Sequence, residues 1–433
     1  MTTFRITRRR LLVGATGATV VAGASGLWLG VQKISNERFH KAVDRGDAFA
    51  PSVYLAVQPD GEVVIWLTRS EMGQGVSTAL PMLIADEMDA DWSRVRVEQA
   101  VAGDGFDYGQ MFTAASSSVS GNWIELRRAG ATAREMLISA AADQWGVSAS
   151  DCVADAGFVL HPGSSRRLDF GSLAAPAADK WPSIRPRLKT PAEFRLIGQA
   201  VPRIDTGDKV TGKAFYGADV RLDGMRRAVI ARSPVFGGSP RQFEDAAARQ
   251  VQGVEGVVSV TNGVAVVATD TYSAIQGRRA LHVAWQAPPE HRVSGDQIAG
   301  QLRQMLDEPG GVVRDDGGTP SEVVREITAD YQLPFLAHAC MEPMNCTASV
   351  TPDGCTIWVG SQAPEGARAL ASAITGLPLN KVVVHRPQLG GGFGRRAAQD
   401  FVRDAVEVAM AVGHPVQVLW SREDDLANGE YRE

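Results

Sequence analysis

A chain of 433 residues that is 44% apolar and 21% charged can bury two or three substantial cores, which excludes disorder as the default state. A formal net charge of −5 and the lack of a basic stripe in the body exclude a general nucleic-acid binder, since affinity for a phosphate backbone needs clustered cations. The expected partners are a small molecule or another protein, with no nucleic acid.

The chain opens on MTTFRITRRRLLVGATGATVVAGASGLWLGV, where Arg5, Arg8, Arg9 and Arg10 precede an apolar stretch rich in glycine and alanine. Residues 1–31 are expected to be a twin-arginine signal, the pattern of proteins exported after folding, or an N-terminal membrane anchor, because Leu11 to Val31 nearly spans a bilayer. Either reading keeps the arginines inside and places the body in the periplasm. Small residues at Ala22 and Ala24 permit cleavage.

Residues 32–50 read as a polar linker, after which SVYLAVQPDGEVVIWLT alternates apolar and polar residues around a PDG turn and predicts a β-hairpin. EMGQGVSTALPMLIADEMDADW follows, a glycine-bracketed loop opening a helix with Leu80, Leu83, Ile84 and Met88 on one face. RVRVEQ predicts a strand, and a small-residue loop then feeds a long helix that Gly146 ends. The proline-rich AAPAADKWPSIRPRLKTPAEF marks a boundary near residue 190.

Beyond it, residues 191–286 carry β-rich runs and a helical segment, enough for a small α/β domain, and 287–326 read as a charged linker with one helix. The last module, 327–433, offers the strands TASVTPDGCTIWVG and KVVVHRP with the helix EGARALASAITG between them. The expected fold class is α+β and multidomain. Cys152, Cys340, Cys346 and Cys355 have no CxxC spacing, so buried thiols are expected and an iron–sulfur cluster on this chain is not.

Three loops carry candidate chemistry. In VVVHRPQLGGGFGRRAAQDFVRDAVEVAMAVG, glycines stand between a β-branched strand and a helix expected to begin at the arginines, with Phe401, Ala405, Val408 and Ala409 sharing a face. Such a turn exposes backbone N–H groups and lets a ligand approach without Cβ obstruction. The absence of GK[ST] speaks against a nucleotide-hydrolysing loop. EMGQG sets the amide of Gln74 between two glycines at a helix entrance, and TAASSS presents hydroxyls and amides ahead of another. Each alone also fits a structural turn; three in one chain imply a large, polar, phosphate-bearing cofactor held mainly by backbone.

EMGQGVSTALPMLIADEMDADWSRVRVEQ, GQMFTAASSSVSGNWIELRRAGATAREML, RIDTGDKVTGKAFYGADVRLDGM, FLAHACMEPMNCTA and LGGGFGRR together resemble the signatures of the xanthine dehydrogenase and aldehyde oxidoreductase family, in its large molybdenum-cofactor subunit. The arrangement resembles the isoquinoline 1-oxidoreductase beta subunit type, in which a stretch usually found late comes before the small α/β domain. On that resemblance, 51–190 is a molybdopterin-binding module, 191–286 a hammerhead-like domain, and 327–433 the first part of the main molybdopterin-binding module.

The resemblance implies a molybdenum hydroxylase that oxidises an N-heteroaromatic compound or an aldehyde with water as oxygen source. It implies a molybdenum–molybdopterin cofactor, in bacteria commonly the cytosine dinucleotide form, and [2Fe-2S] clusters on a separate small alpha subunit; an exported enzyme would pass electrons to a c-type cytochrome. Carried over, Gly392, Phe393 and Gly394 match the loop whose backbone lies beside the metal's oxo group, and Gly391 and Arg395 are counted with them as cofactor-binding. Gln74 with Gly75 matches the glutamine that contacts the cofactor's phosphate or pterin side, and Ala114, Ala115, Ser116 and Ser118 match the loop near the metal. Arg395 and Arg396 read equally as phosphate partners or as helix-entry charges. For His338 and Glu342, four residues apart, a structural role, or one that supports the metal site without touching the metal, is favoured over metal ligation.

Two departures qualify the resemblance. Arg395, Arg396 and Ala397 follow the glycine loop where purine-oxidising relatives often continue to a glutamate, so xanthine is not the expected substrate, and Leu336 stands near the position of a glutamine that often touches the oxo ligand. No GxGE motif with the catalytic glutamate follows SREDDLANGEYRE, so the catalytic base is unassigned and the sequence reads as an incomplete copy of a longer enzyme. The alternative is a non-catalytic subunit or cofactor-binding partner protein.

Overall fold

Strands β1 (Phe49–Ser52), β2 (Leu55–Val57), β3 (Val63–Leu67) and β4 (Val95–Gln99) form one sheet in that order, antiparallel except for the β3/β4 pair. The predicted hairpin is β2–β3, and Gly61 of its PDG turn has φ 88°, a conformation that favours glycine. The structure, a computed structural model, describes residues 43–286, 293–317, 324–325 and 327–432. The expected signal or anchor at 1–31 lies outside the described residues, as do most of the 32–50 linker and parts of 287–326. Among the described residues, no helix is long and apolar enough to cross a membrane.

Helix α1 (Val76–Met88) crosses from β3 to β4 and buries Leu80, Leu83, Ile84 and Met88, the face the periodicity predicts. Helix α2 (Trp123–Trp145) ends at Gly146, whose φ of 65° supplies the left-handed cap. Its buried face includes Leu126, Gly130, Ala133 and Leu137, at helical spacing. A Cβ on Gly130 would lie 2.4 Å from the Ile84 carbonyl oxygen on α1, so the absent side chain sets the distance between the helices. Gly130→Ala is therefore expected to destabilise the fold by about 1–3 kcal/mol despite alanine's better helix propensity. Thermal unfolding measures this, and an unchanged midpoint would refute the close approach.

Buried charges on α1 tie down the proline-rich segment. The Asp86 carboxylate accepts N–H bonds from Arg195, Leu196 and Ile197 at 2.8–3.0 Å, and the Lys189 ammonium bonds Asp86 and Asp89. Glu87, with a fully buried side chain, pairs with Arg127 at 2.7 Å and accepts from the Lys189 N–H. A small antiparallel sheet of β5 (Val153–Asp155), β6 (Phe158–His161) and β7 (Arg166–Asp169) completes this unit, which runs to Ala100 and resumes from Asp104 to Ala214.

The second unit comprises Val101–Gly103 and Phe215–Glu433. It contains β8 (Arg226–Ala231), β9 (Ser239–Glu244), β10 (Val254–Val260), β11 (Gly263–Ala268), α3 (Thr271–Ala280), β12 (His282–Gln286) and α4 (Gly295–Met305). After β13 (Leu336–Ala337) come β14 (Asn345–Thr351), β15 (Gly354–Trp358), α5 (Pro364–Thr375), β16 (Val382–His385), α6 (Asp400–Val412), β17 (Val416–Leu419), α7 (Arg422–Asn428) and β18 (Tyr431–Arg432). One seven-stranded sheet runs β10-β11-β8-β17-β14-β15-β16, so strands on either side of the 287–326 stretch share a sheet through the parallel β8/β17 pair. Phe401, Ala405, Val408 and Ala409 of α6 are fully buried.

Helix α6 begins later than the sequence predicts. Arg395–Ala397 form a single 3₁₀ turn, Ala398 is extended with ψ 154°, and the helix starts at Asp400. The glycine loop is therefore not joined directly to the N-terminus of α6. All four cysteines are free and buried, as their spacing predicts.

Candidate cofactor-binding loops

In the first unit, the EMGQG turn is organised around Glu71, a carboxylate that is 5% exposed. One of its oxygens accepts from the N–H groups of Gly73 (2.8 Å) and Gly75 (3.1 Å), the other from the N–H and hydroxyl of Ser77 (both 2.9 Å). Burial alone would raise its pKa, but these bonds outweigh it and hold the carboxyl below its usual value. Glu71 thus satisfies part of the α1 N-terminus from within the chain, taking amides that an outside anion would otherwise use.

Arg203 closes the turn from the other side. Its guanidinium donates to the Gly73 carbonyl (2.8 Å) and to Glu71 (3.1 Å), and grips both oxygens of Asp205 at 2.9 and 2.7 Å. The hydrogen bond from Arg203, joined by Lys209, drives Asp205 well below the usual carboxylate range. Here the signature RIDTGDK acquires a physical reason: it clamps a turn some 130 residues away in sequence. Sequence reasoning missed Glu71 and Arg203, since neither belongs to a recognisable ligand pattern. Gln74 is exposed and folds over its own turn, donating to the Ser70 carbonyl (2.9 Å) and accepting from the Met72 N–H (2.8 Å), which leaves one donor and one acceptor position unused.

The TAASSS loop meets that turn directly. The Ser70 N–H donates to the Thr113 hydroxyl at 2.8 Å, and Arg69 donates to the Phe112 carbonyl at 2.6 Å. Ala115 and Ser116 both have φ 53°, two successive left-handed non-glycine residues, which cost of order 1 kcal/mol each. Their N–H groups find no acceptor among the described residues. Ala114 instead accepts from the N–H and hydroxyl of Ser117, and Ser118 accepts from Asn122.

The glycine loop belongs to the second unit. Gly391 and Gly394 take φ of 100° and 102°, and Phe393, 58% exposed, takes 53°. A Cβ on Gly390 would lie 2.2 Å from the Glu342 Cβ. The Gly394 N–H is held by Gln362 at 3.1 Å, whereas the N–H groups of Gly391 and of the buried Gly392 have no acceptor among the described residues. A backbone N–H without a partner in a buried residue is rare in a finished fold.

Arg395 is 1% exposed, with its two terminal nitrogens on the Asp400 carboxylate at 2.9 and 2.7 Å, so its charge is engaged inside the fold. His338 and Glu342 are not on a helix, and their spacing is no helical face. The His338 Nδ1 pairs with the Glu430 carbonyl at 2.9 Å, while Glu342 binds Gly390, Ala218, Asn345 and Arg396. Among the described residues, no cluster of His, Cys, Asp or Glu is arranged to hold a metal ion. Leu336 is 60% exposed at the start of β13.

Within each unit, unpartnered amides and left-handed backbone leave main-chain donors open to a polar ligand. Residues 16–224 and 310–433 each match a molybdopterin cofactor-binding domain family. These two domains define the class, a molybdopterin cofactor-binding polypeptide. The chain belongs to the xanthine oxidase family, whose molybdopterin-binding domains it carries.

It is 36% identical to the beta subunit of isoquinoline 1-oxidoreductase of Brevundimonas diminuta over 89% of this chain and 56% of that one. It is 30% identical to a membrane-bound aldehyde dehydrogenase [pyrroloquinoline-quinone] of Gluconacetobacter polyoxogenes, covering 99% and 57%. Against a nicotinate dehydrogenase subunit of Pseudomonas putida the identity is 28%, covering 86% and 32%. The chain thus spans little more than half the length of the first two relatives and about a third of the last.

Proposed function

We propose that this chain is the molybdopterin-binding part of a periplasmic molybdenum hydroxylase that oxidises an N-heteroaromatic compound or an aldehyde, with water as oxygen source. The observation that carries this reading is the unpartnered N–H of the buried residue Gly392 in a matched cofactor-binding domain. Relatives whose names specify isoquinoline, nicotinate and aldehyde support the substrate classes. The arginine pair Arg8–Arg9 before an apolar stretch supports export by the twin-arginine route, with the segment either cleaved or kept as an anchor.

When bound, the molybdenum–molybdopterin group, in our reading the cytosine dinucleotide form, supplies the oxidising centre and accepts two electrons. The chain's own residues position it. Gly391 and Gly392 offer fixed N–H donors to an oxygen that gains negative charge, at no cost of reorganisation. In the first unit, Ala115 and Ser116 offer two unpartnered N–H donors, and Gln74 retains one donor and one acceptor. Glu71 and Arg203 keep the Gln74 turn in shape. In the same reading, the partners would be a small alpha subunit carrying [2Fe-2S] clusters and a c-type cytochrome as electron acceptor.

Metal and nucleotide analysis of protein purified after export tests the proposal. About one molybdenum per chain is expected, with a cytosine nucleotide released by acid denaturation. Protein carrying a quinone, or neither metal nor nucleotide, would overturn it.

A further inference from the structure

We infer that Arg396 is the positioning residue of the glycine loop, fixing the orientation of the Gly392 N–H by holding the Gly391 carbonyl. The inference rests on the proposed cofactor role of this loop. A trans peptide is planar, so its carbonyl and N–H point opposite ways, and fixing one fixes the other. The Gly390 carbonyl accepts from the Glu342 N–H at 3.0 Å, which sets the direction of the Gly391 N–H. The Gly391 carbonyl accepts from Arg396 Nε at 2.8 Å, which sets that of Gly392. Glycines at these positions have no side chain to resist rotation, so the carbonyl anchors decide where their donors face.

Arg396 is suited to this task. Its side chain is fully buried, and its remaining nitrogens donate to the Gly360 carbonyl (3.2 Å) and to the carbonyl and carboxylate of Glu342 (2.8 and 2.9 Å). Glu342 neutralises the buried charge and also accepts from the Gly390 N–H at 2.9 Å. Each end of the pair therefore grips one glycine of the loop. Lysine could keep the charge opposite Glu342, but a single ammonium cannot also span Gly391 and Gly360 as the planar fork does.

Arg396→Lys in the full-length, cofactor-loaded protein is the test, read by amide hydrogen exchange of peptides covering residues 388–394 and by molybdenum content. Exchange about tenfold faster in 388–394 is expected, with helix 400–412 unchanged, the thermal midpoint within a few degrees of wild type and molybdenum per chain at least about halved. A double Arg396→Met, Glu342→Met variant, which removes both charges together and so leaves neither unpaired, should release the loop in the same way. Unchanged exchange at 388–394, or acceleration shared equally by 400–412, would overturn the inference. Wild-type protein without molybdenum would instead sink the functional reading and leave the exchange result to be judged on its own.

Discussion

Asp404→Ala is expected to lower stability by about 3–5 kcal/mol, a fall of about 10 °C in the thermal midpoint for a unit of this size. Asp404 lies on α6 with no exposed side-chain surface, and its carboxylate pairs with the Arg232 guanidinium at the end of β8. It also accepts from the Asn262 amide (3.0 Å) in the β10–β11 turn and from the Trp420 indole (3.1 Å) beyond β17. Removing it strands a buried cation, an amide and an indole N–H together, and severs the helix from three places on the sheet. Asp404→Asn keeps an acceptor oxygen and should lose about half as much.

The pH dependence of that pair follows from burial, which pushes the Asp404 carboxyl above its ordinary value despite Arg232. A folded state that takes up its proton before the unfolded chain does is favoured by acid. Wild type should therefore gain on Asp404→Asn as pH falls from neutral, levelling off below about pH 4, the unfolded value. Denaturant midpoints of both proteins from pH 7 to 3 would measure it, and a constant difference would refute the assignment.

Asp86→Asn should cost a similar 3–5 kcal/mol at neutral pH, with the opposite pH dependence. Burial alone would raise the Asp86 carboxyl, but N–H bonds from Ile197 and Leu196, with Lys189, hold it below its usual value. Its stabilisation is present above the unfolded value of about 4 and is lost as pH falls through the folded one. The gap between wild type and Asp86→Asn should narrow toward pH 3 as the anchor of residues 195–197 is protonated. A gap that stays constant would mean that the charge of Asp86 is not what secures the segment.

Much of the local fold was legible because its signals are local. Apolar spacing placed the α1 face at Leu80, Leu83, Ile84 and Met88, and Gly146 ended α2, since a helix reads out its neighbours every three or four residues and a left-handed cap favours a glycine. The PDG turn placed the β2–β3 hairpin for the same reason. The start of α6 was misplaced because nothing in RRAAQD states that Ala398 is extended; Arg395 on Asp400 and the turn at Gly394 decide it.

The sequence by itself determined the family, through motifs dense enough to be read in order, and it determined which loops carry backbone donors. Only the tertiary structure decided which of those donors stay unpartnered. Glu71 takes the amides of Gly73 and Gly75, Glu342 takes that of Gly390, and Gly391, Gly392, Ala115 and Ser116 keep theirs. The physical reason is that a hydrogen-bond partner is chosen by proximity in space. Arg203 reaches Gly73 across 130 residues and Arg396 reaches Glu342 across 54, separations over which no periodicity or spacing carries information.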